Sequence, residues 1–146
     1  MNKTIPKRIS RFIHEHHVLT LATSYDDLPY CANCFYVWLD EEKAFVFTSD
    51  TDTHHIADVQ KNDFVAGSVV LETRHVGKIR GLQIQGTLEK AEGSLYNTCR
   101  KAYLKAFPYA ILKKTELWIL RVSFFKLTDN RLGFGTKLIW GHTDAH

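Results

Sequence analysis

Apolar positions along this chain recur with two periods. Over residues 5–16, Ile5, Ile9, Phe12 and Ile13 fall at helical spacing, which predicts an amphipathic helix with Thr4 as its cap and Pro6 in the tolerant first turn. From Val18 the pattern changes to strand character. "VLTLATS" and the long "YCANCFYVWL", joined by a "YDDLP" turn, predict a hairpin, and "KAFVFTS" predicts a third strand after the acidic turn Asp40, Glu41, Glu42. Ile56, Ala57 and Val59 mark one face of a short helix. "DFVAGSVVL" then resumes as a fourth strand, and "ETRHVGK" reads as a loop.

"IRGLQIQGTLEKAE" predicts a fifth strand in which Ile79, Gly81, Gln83 and Gln85 alternate with Arg80, Leu82, Ile84 and Gly86. Gln83 and Gln85 share a face, which points either to solvent or to a ligand. Ser94 is placed to cap a helix with Leu95, Cys99, Ala102, Tyr103 and Ala106 on its stripe, ended by Pro108. "LWILRVSFFKLTDN" gives a sixth strand, and "RLGFGTKLIW" a glycine-rich turn with a last short strand. Helices inserted after only the third and fifth strands argue against a regular parallel sheet. The predicted fold class is mainly β (α+β), a small antiparallel barrel flanked by helices, in one domain over residues 1–146.

Composition narrows the function classes. With 146 residues, 45% apolar and 24% charged, the chain is long enough to bury a core, and no window is apolar enough to span a membrane. The N-terminal stretch lacks the apolar segment of a secretory signal, so a cytoplasmic address is expected. Three cysteines, Cys31, Cys34 and Cys99, do not make a disulfide framework. Cys31 and Cys34 form a CxxC on a strand, where the offset sends them to opposite faces, against a metal or redox role.

Formal net charge is +3, with the cations dispersed along the sequence, and the lysines of "KAYLKAFPYAILKK" read as a solvated helix face. The "HEHH" run at residues 14–17 lacks the i, i+4 histidine pair of a zinc protease and reads as a solvated helix end. No metal site is predicted. No GxSxG elbow or identifiable activated thiol supports nucleophilic catalysis.

The strand-to-helix corner in "FVFTSDTDTHHIADVQKN" concentrates hydroxyls, carboxylates and two histidines where helix N–H groups are unpaired. Two readings stay open there: an anion site, or histidines that start a surface helix. In order and spacing, "LAT", "LPYCANCFY", "FVFTS", "KNDFVAGSV" and "LQIQGTLE" resemble the FMN-binding split barrel of the pyridoxamine 5'-phosphate oxidase-like superfamily. "KLTDNRLGFGTKLIW" and "RKAYLKAFP" are similar to a bacterial subfamily of it that shares "FTDNxLGFGxKxIW" and "RKAYxxxFP".

The resemblance implies a split β-barrel and an FMN site at a homodimer interface, with the phosphate at the corner. By matching positions, Thr48 and Ser49 end the strand, Thr53 takes the hydroxyl position, and His54 and His55 stand where relatives show arginine or lysine. Asn33 is implied near the flavin ring or ribityl chain, and Arg80 and Gln83 on the fifth strand. Lys137 is implied as a second phosphate cation and Trp140 as a stacking surface, against the more ordinary core role of Trp38, Trp118 and Trp140.

The expected function is a flavin-dependent oxidoreductase acting on a small organic substrate, the chemistry residing in the cofactor. The alternatives are a non-catalytic binder of flavin or another planar anion, and a basic barrel that binds nucleic acid, which the dispersed charge disfavours.

Overall fold

A computed structural model describes residues 4–50, 52–112 and 116–142. Lys113 and Lys114 of the lysine-dense stretch, and the tail beyond His142, lie outside them. Eight strands among the described residues form one antiparallel sheet: β1 (Val18–Tyr25), β2 (Leu28–Phe35), β3 (Val37–Leu39), β4 (Ala44–Ser49), β5 (Phe64–Val70), β6 (Arg80–Lys90), β7 (Glu116–Asp129) and β8 (Lys137–Gly141). Their order is β2-β1-β5-β6-β7-β4-β3, and β8 pairs with the second half of β7. Three α-helices accompany them, α1 (Lys7–Glu15), α2 (His54–Val59) and α3 (Gly93–Ala106). The sheet curls into a half-barrel, the split barrel expected from the sequence.

Local chemistry sets its corners. Asp26 and Asp27 both adopt positive φ, 54° and 61°, and close β1 onto β2 as a two-residue turn that matches the strand twist. The β6–β7 pairing is bulged opposite Gln85 and Gly86, where Ser123 is the extra residue of β7. A Cβ at Gly86 would collide with the Arg121 carbonyl oxygen, so only glycine lets the two strands approach there.

The sequence predicted one continuous strand through "YCANCFYVWL"; the structure breaks it at Tyr36. The Tyr36 N–H donates to the His17 carbonyl at 2.9 Å and its hydroxyl to the Ile13 carbonyl at 2.6 Å, which draws the ring inward. Both predicted caps also move. α1 starts after Pro6, whose carbonyl accepts from the Ile9 and Ser10 amides, because the proline ring presets the helix start and holds the preceding residue extended. Thr4 therefore lies outside the helix. α3 is preceded by an extended Glu92, since the Ala91 amide still donates to the Leu117 carbonyl, so Ser94 falls inside the first turn.

Two apolar layers hold the fold. Inside the barrel, Ile9, Phe12 and Ile13 of α1 plug a core with Leu21, Phe45, Phe47 and Phe125, each such side chain contributing about 1.5–3 kcal/mol. On the opposite face of β4 and β7, Cys99 and Tyr103 of α3 cover Ala44, Val46, Leu117 and Ile119. Cys31 is exposed and Cys34 buried, so the CxxC pair points to opposite faces as its spacing predicts.

No helix among the described residues is long and apolar enough to cross a membrane. No group of three histidine, cysteine or carboxylate side chains among them is placed to hold a metal ion.

Candidate functional site

At the end of β4 the strand alternation separates the predicted corner residues. Thr48 faces α3, close to the Tyr103 hydroxyl. Ser49 faces the barrel interior, where its hydroxyl is hydrogen-bonded to His55 Nε2 and its carbonyl accepts from the Trp118 indole N–H at 3.1 Å. His55 is 9% exposed, and its Nε2 also lies 3.4 Å from Thr53 Oγ1. Thr53 donates to the Asp50 carbonyl at 2.8 Å.

Burial, reinforced by the neighbouring His54 and only partly opposed by Asp58, pushes the His55 pKa below its ordinary value. His55 is thus held as a neutral imidazole. His54 projects outward, stacked on Tyr30 with centroids 4.1 Å apart, and its Nε2 lies 3.5 Å from Asp58 Oδ2. Asp58 itself is buried and accepts from the Thr23 hydroxyl at 3.0 Å.

A phosphate dianion does not fit this corner as it is folded. One imidazole is turned inward and neutral, and the other already faces a carboxylate. The buried Asp58 carboxylate would repel an anion, and α2 has only six residues to offer a dipole.

A different candidate surface lies on the outer face of the sheet. Register aligns Asn33, Thr20, Ser68, Gln83, Lys126 and Ile139 in one row across β2, β1, β5, β6, β7 and β8. The Thr20 hydroxyl donates to Asn33 Oδ1 at 3.0 Å, and Gln83 is exposed. From Asn33 to Gln83 the row crosses three inter-strand spacings, about 14 Å. Two residues further along, the same face carries Phe35, Val18 and Val70, which are 56%, 39% and 63% exposed. On the other side lie Cys31, Ala22 and Ala66. The result is an apolar face with a central line of amides and hydroxyls.

The remaining predicted residues separate further. Ser49 pairs with Glu116 at the first residue of β7, and Arg80 with Asp129 at its last, so Arg80 sits at the opposite end of that strand from the corner. There it lies over the Phe12 ring and donates to Glu15 at 3.0 Å. Lys137 pairs with Thr128 near the same end. Trp140 packs partly buried against Phe125, with Lys43 Nζ 6.0 Å from its ring, while Trp38 and Trp118 are buried.

The structure therefore brings Asn33 and Gln83 into one row. It joins Ser49, Thr53 and His55 to one another, and places Arg80, Lys137 and Trp140 elsewhere. Sequence reasoning missed Arg8, Arg11, Asp129 and Arg131, which gather around Arg80. The signal was present in "TDNR", where an aspartate two residues before an arginine can hold it bidentately.

The family model described as pyridoxamine 5'-phosphate oxidase matches residues 5–128. This chain belongs to that family. Within it, a UPF0306 protein of Photorhabdus laumondii is 41% identical over 132 residues, covering 90% of this chain and 92% of its own length. Among solved structures, a heme binding protein from Mycobacterium smegmatis superposes with a TM-score of 0.76 at 19% identity, over 97% of this chain and 60% of that longer one. A FAD-binding protein from Mesorhizobium loti superposes with a TM-score of 0.71 at 13% identity, covering 84% of this chain and 93% of that one. Identities this low carry the split-barrel fold alone, and members of the fold hold more than one kind of planar cofactor.

Proposed function

We propose that this split-barrel protein is a homodimer that holds a flavin, FMN being the form to test first, in the seam between two copies of its outer sheet face. The observation that carries the reading is the row from Asn33 to Gln83, an exposed line of hydrogen-bonding groups bordered by the exposed apolar side chains of Phe35, Val18 and Val70. Large apolar side chains left in water on one face favour a covering partner, and a ring with polar edges matches the amide line. Membership in the family supports the same assignment. When bound, a flavin would supply hydride transfer with a small organic substrate, while the chain would position the ring and exclude water from it.

Because the corner does not fit a phosphate dianion, this form of the reading expects FMN and riboflavin to bind within about tenfold of each other. Flavin absorbance of the purified protein, fluorescence quenching on titration with both ligands, and the mass in solution test it. The expected result is a dimer that takes up FMN, and a Val18→Glu, Phe35→Glu variant that is monomeric and takes up none. A wild-type protein that leaves FMN and riboflavin unbound, or a monomeric variant that binds them as well as the dimer does, would overturn the proposal. Bleaching of the bound flavin by NADH or NADPH separates an oxidoreductase from a carrier. The fold shared with a heme binding protein favours a porphyrin as the second reading, distinguished by a Soret band in place of flavin bands.

A further inference from the structure

We propose that the end of the barrel closed by α1 is a second ligand site, one that takes a small molecule bearing a diphosphate group. Between α1 and the ends of β6 and β7 lies a cavity of about 670 Å³, within the size range of small-molecule sites. Five cations line it, Lys7, Arg8 and Arg11 from the helix, Arg80 from β6 and Arg131 from the turn after β7. Glu15 and the buried Asp129 are the acids paired with them. Five cations against two carboxylates leave a surplus of three positive charges, which equals the formal net charge of the whole chain, +3.

The two carboxylates orient arginines and leave their charge unneutralised as a set. Asp129 is 1% exposed; it accepts from Arg131 Nε at 3.1 Å and Nη2 at 3.0 Å and lies 3.5 Å from Arg8 Nη1. Asp129 thus holds the Arg131 guanidinium by its Nε–Nη2 edge and fixes where the charges of Arg131 and Arg8 stand at the cavity wall. Glu15 takes Arg80 Nη1, while Arg80 Nε is sealed from water with no hydrogen-bond partner among the described residues. An unpaired N–H on a buried charged group is destabilising. Lys7 and Arg11 have no ion pair among the described residues and stand at the exposed rim.

A diphosphate brings more negative charge and a longer span than a single phosphate to a cavity lined by five cations. A nucleic acid is disfavoured because the cations converge on a concavity and do not run along a strip. The site shares no residue with the outer row of the sheet, so it stands whether or not flavin binds.

The experiment is calorimetric titration of the full chain with pyrophosphate, ATP, inorganic phosphate and a short single-stranded oligonucleotide at constant ionic strength. Pyrophosphate and ATP are expected to saturate at one per chain and to raise Tm, with inorganic phosphate at least about tenfold weaker. Lys7→Glu and Arg11→Glu, both exposed, should each weaken pyrophosphate by about tenfold or more without changing the Tm of the free protein. Arg131→Lys, which keeps the charge but loses the bidentate hold on Asp129, should weaken it less, and Lys105→Glu on α3 should change nothing. FMN uptake should be the same in all four variants. Absence of saturable binding, unchanged affinity in the two charge reversals, competition between pyrophosphate and FMN, or preferential and steeply salt-dependent oligonucleotide binding would each overturn the proposal.

Discussion

The two ends of this barrel handle polar groups in opposite ways. At the α2 end, Ser49, Thr53, His55, Thr23 and Asp58 satisfy one another, and the buried histidine stays neutral. At the α1 end, two carboxylates hold three arginines, and two more cations stand at the rim without an ion pair among the described residues. Polar side chains beside a helix start are therefore no sign of a ligand when they close on themselves. Surplus charge around a cavity is the better indicator.

The severest test of the comparison is Phe12→Ala. This ring is 1% exposed in the inner core and underlies Arg80, so its loss should cost about 3–5 kcal/mol in urea unfolding and also disperse the arginine cluster. A loss under 1 kcal/mol would mean that α1 is not the plug described. Next in size, Ser49→Ala leaves the His55 ring nitrogen only its longer contact to Thr53 Oγ1 and should cost about 1–3 kcal/mol, read the same way.

Acid should then separate the ends. The folded His55 pKa lies below 6.5, so the unfolded chain takes up that proton first; its contribution is full above pH 6.5 and is lost as pH falls below that value. Asp129, held below the ordinary 3.8 chiefly by its hydrogen bond from Arg131, keeps its contribution until pH falls below 3.8. Urea midpoints of the wild type should decline between about pH 7 and 5, and His55→Gln should flatten that decline; an identical slope in the variant would refute the neutral histidine. Smallest of all, His54→Ala, on the exposed side of the same helix, should cost under about 1 kcal/mol.

Much of this architecture was legible because burial imposes period. The α1 stripe names Ile9, Phe12 and Ile13, the alternation in β6 puts Leu82 and Ile84 on one face, and the CxxC offset gives its two faces. What the sequence hid is long-range. The break at Tyr36 depends on carbonyls of Ile13 and His17 across the fold, and the caps moved because Pro6 and the β6–β7 ladder outrank local hydroxyls.

The same holds for charge. Cations scattered along the chain converge in space, since Arg80 meets Glu15 across 65 residues of sequence. At the corner the residue types are legible in the sequence, whereas side-chain direction, which no spacing records, is not: His55 turns inward and His54 outward.

β7 runs unbroken from the residue opposite Ser49 to Asp129, and its neighbours change from β4 to β8 halfway along one edge. Such a strand is the spine of the molecule, because two partial sheets hang from it and neither can detach without exposing its middle. Its central amides should accordingly be the last to exchange with deuterium, and only when the entire chain opens.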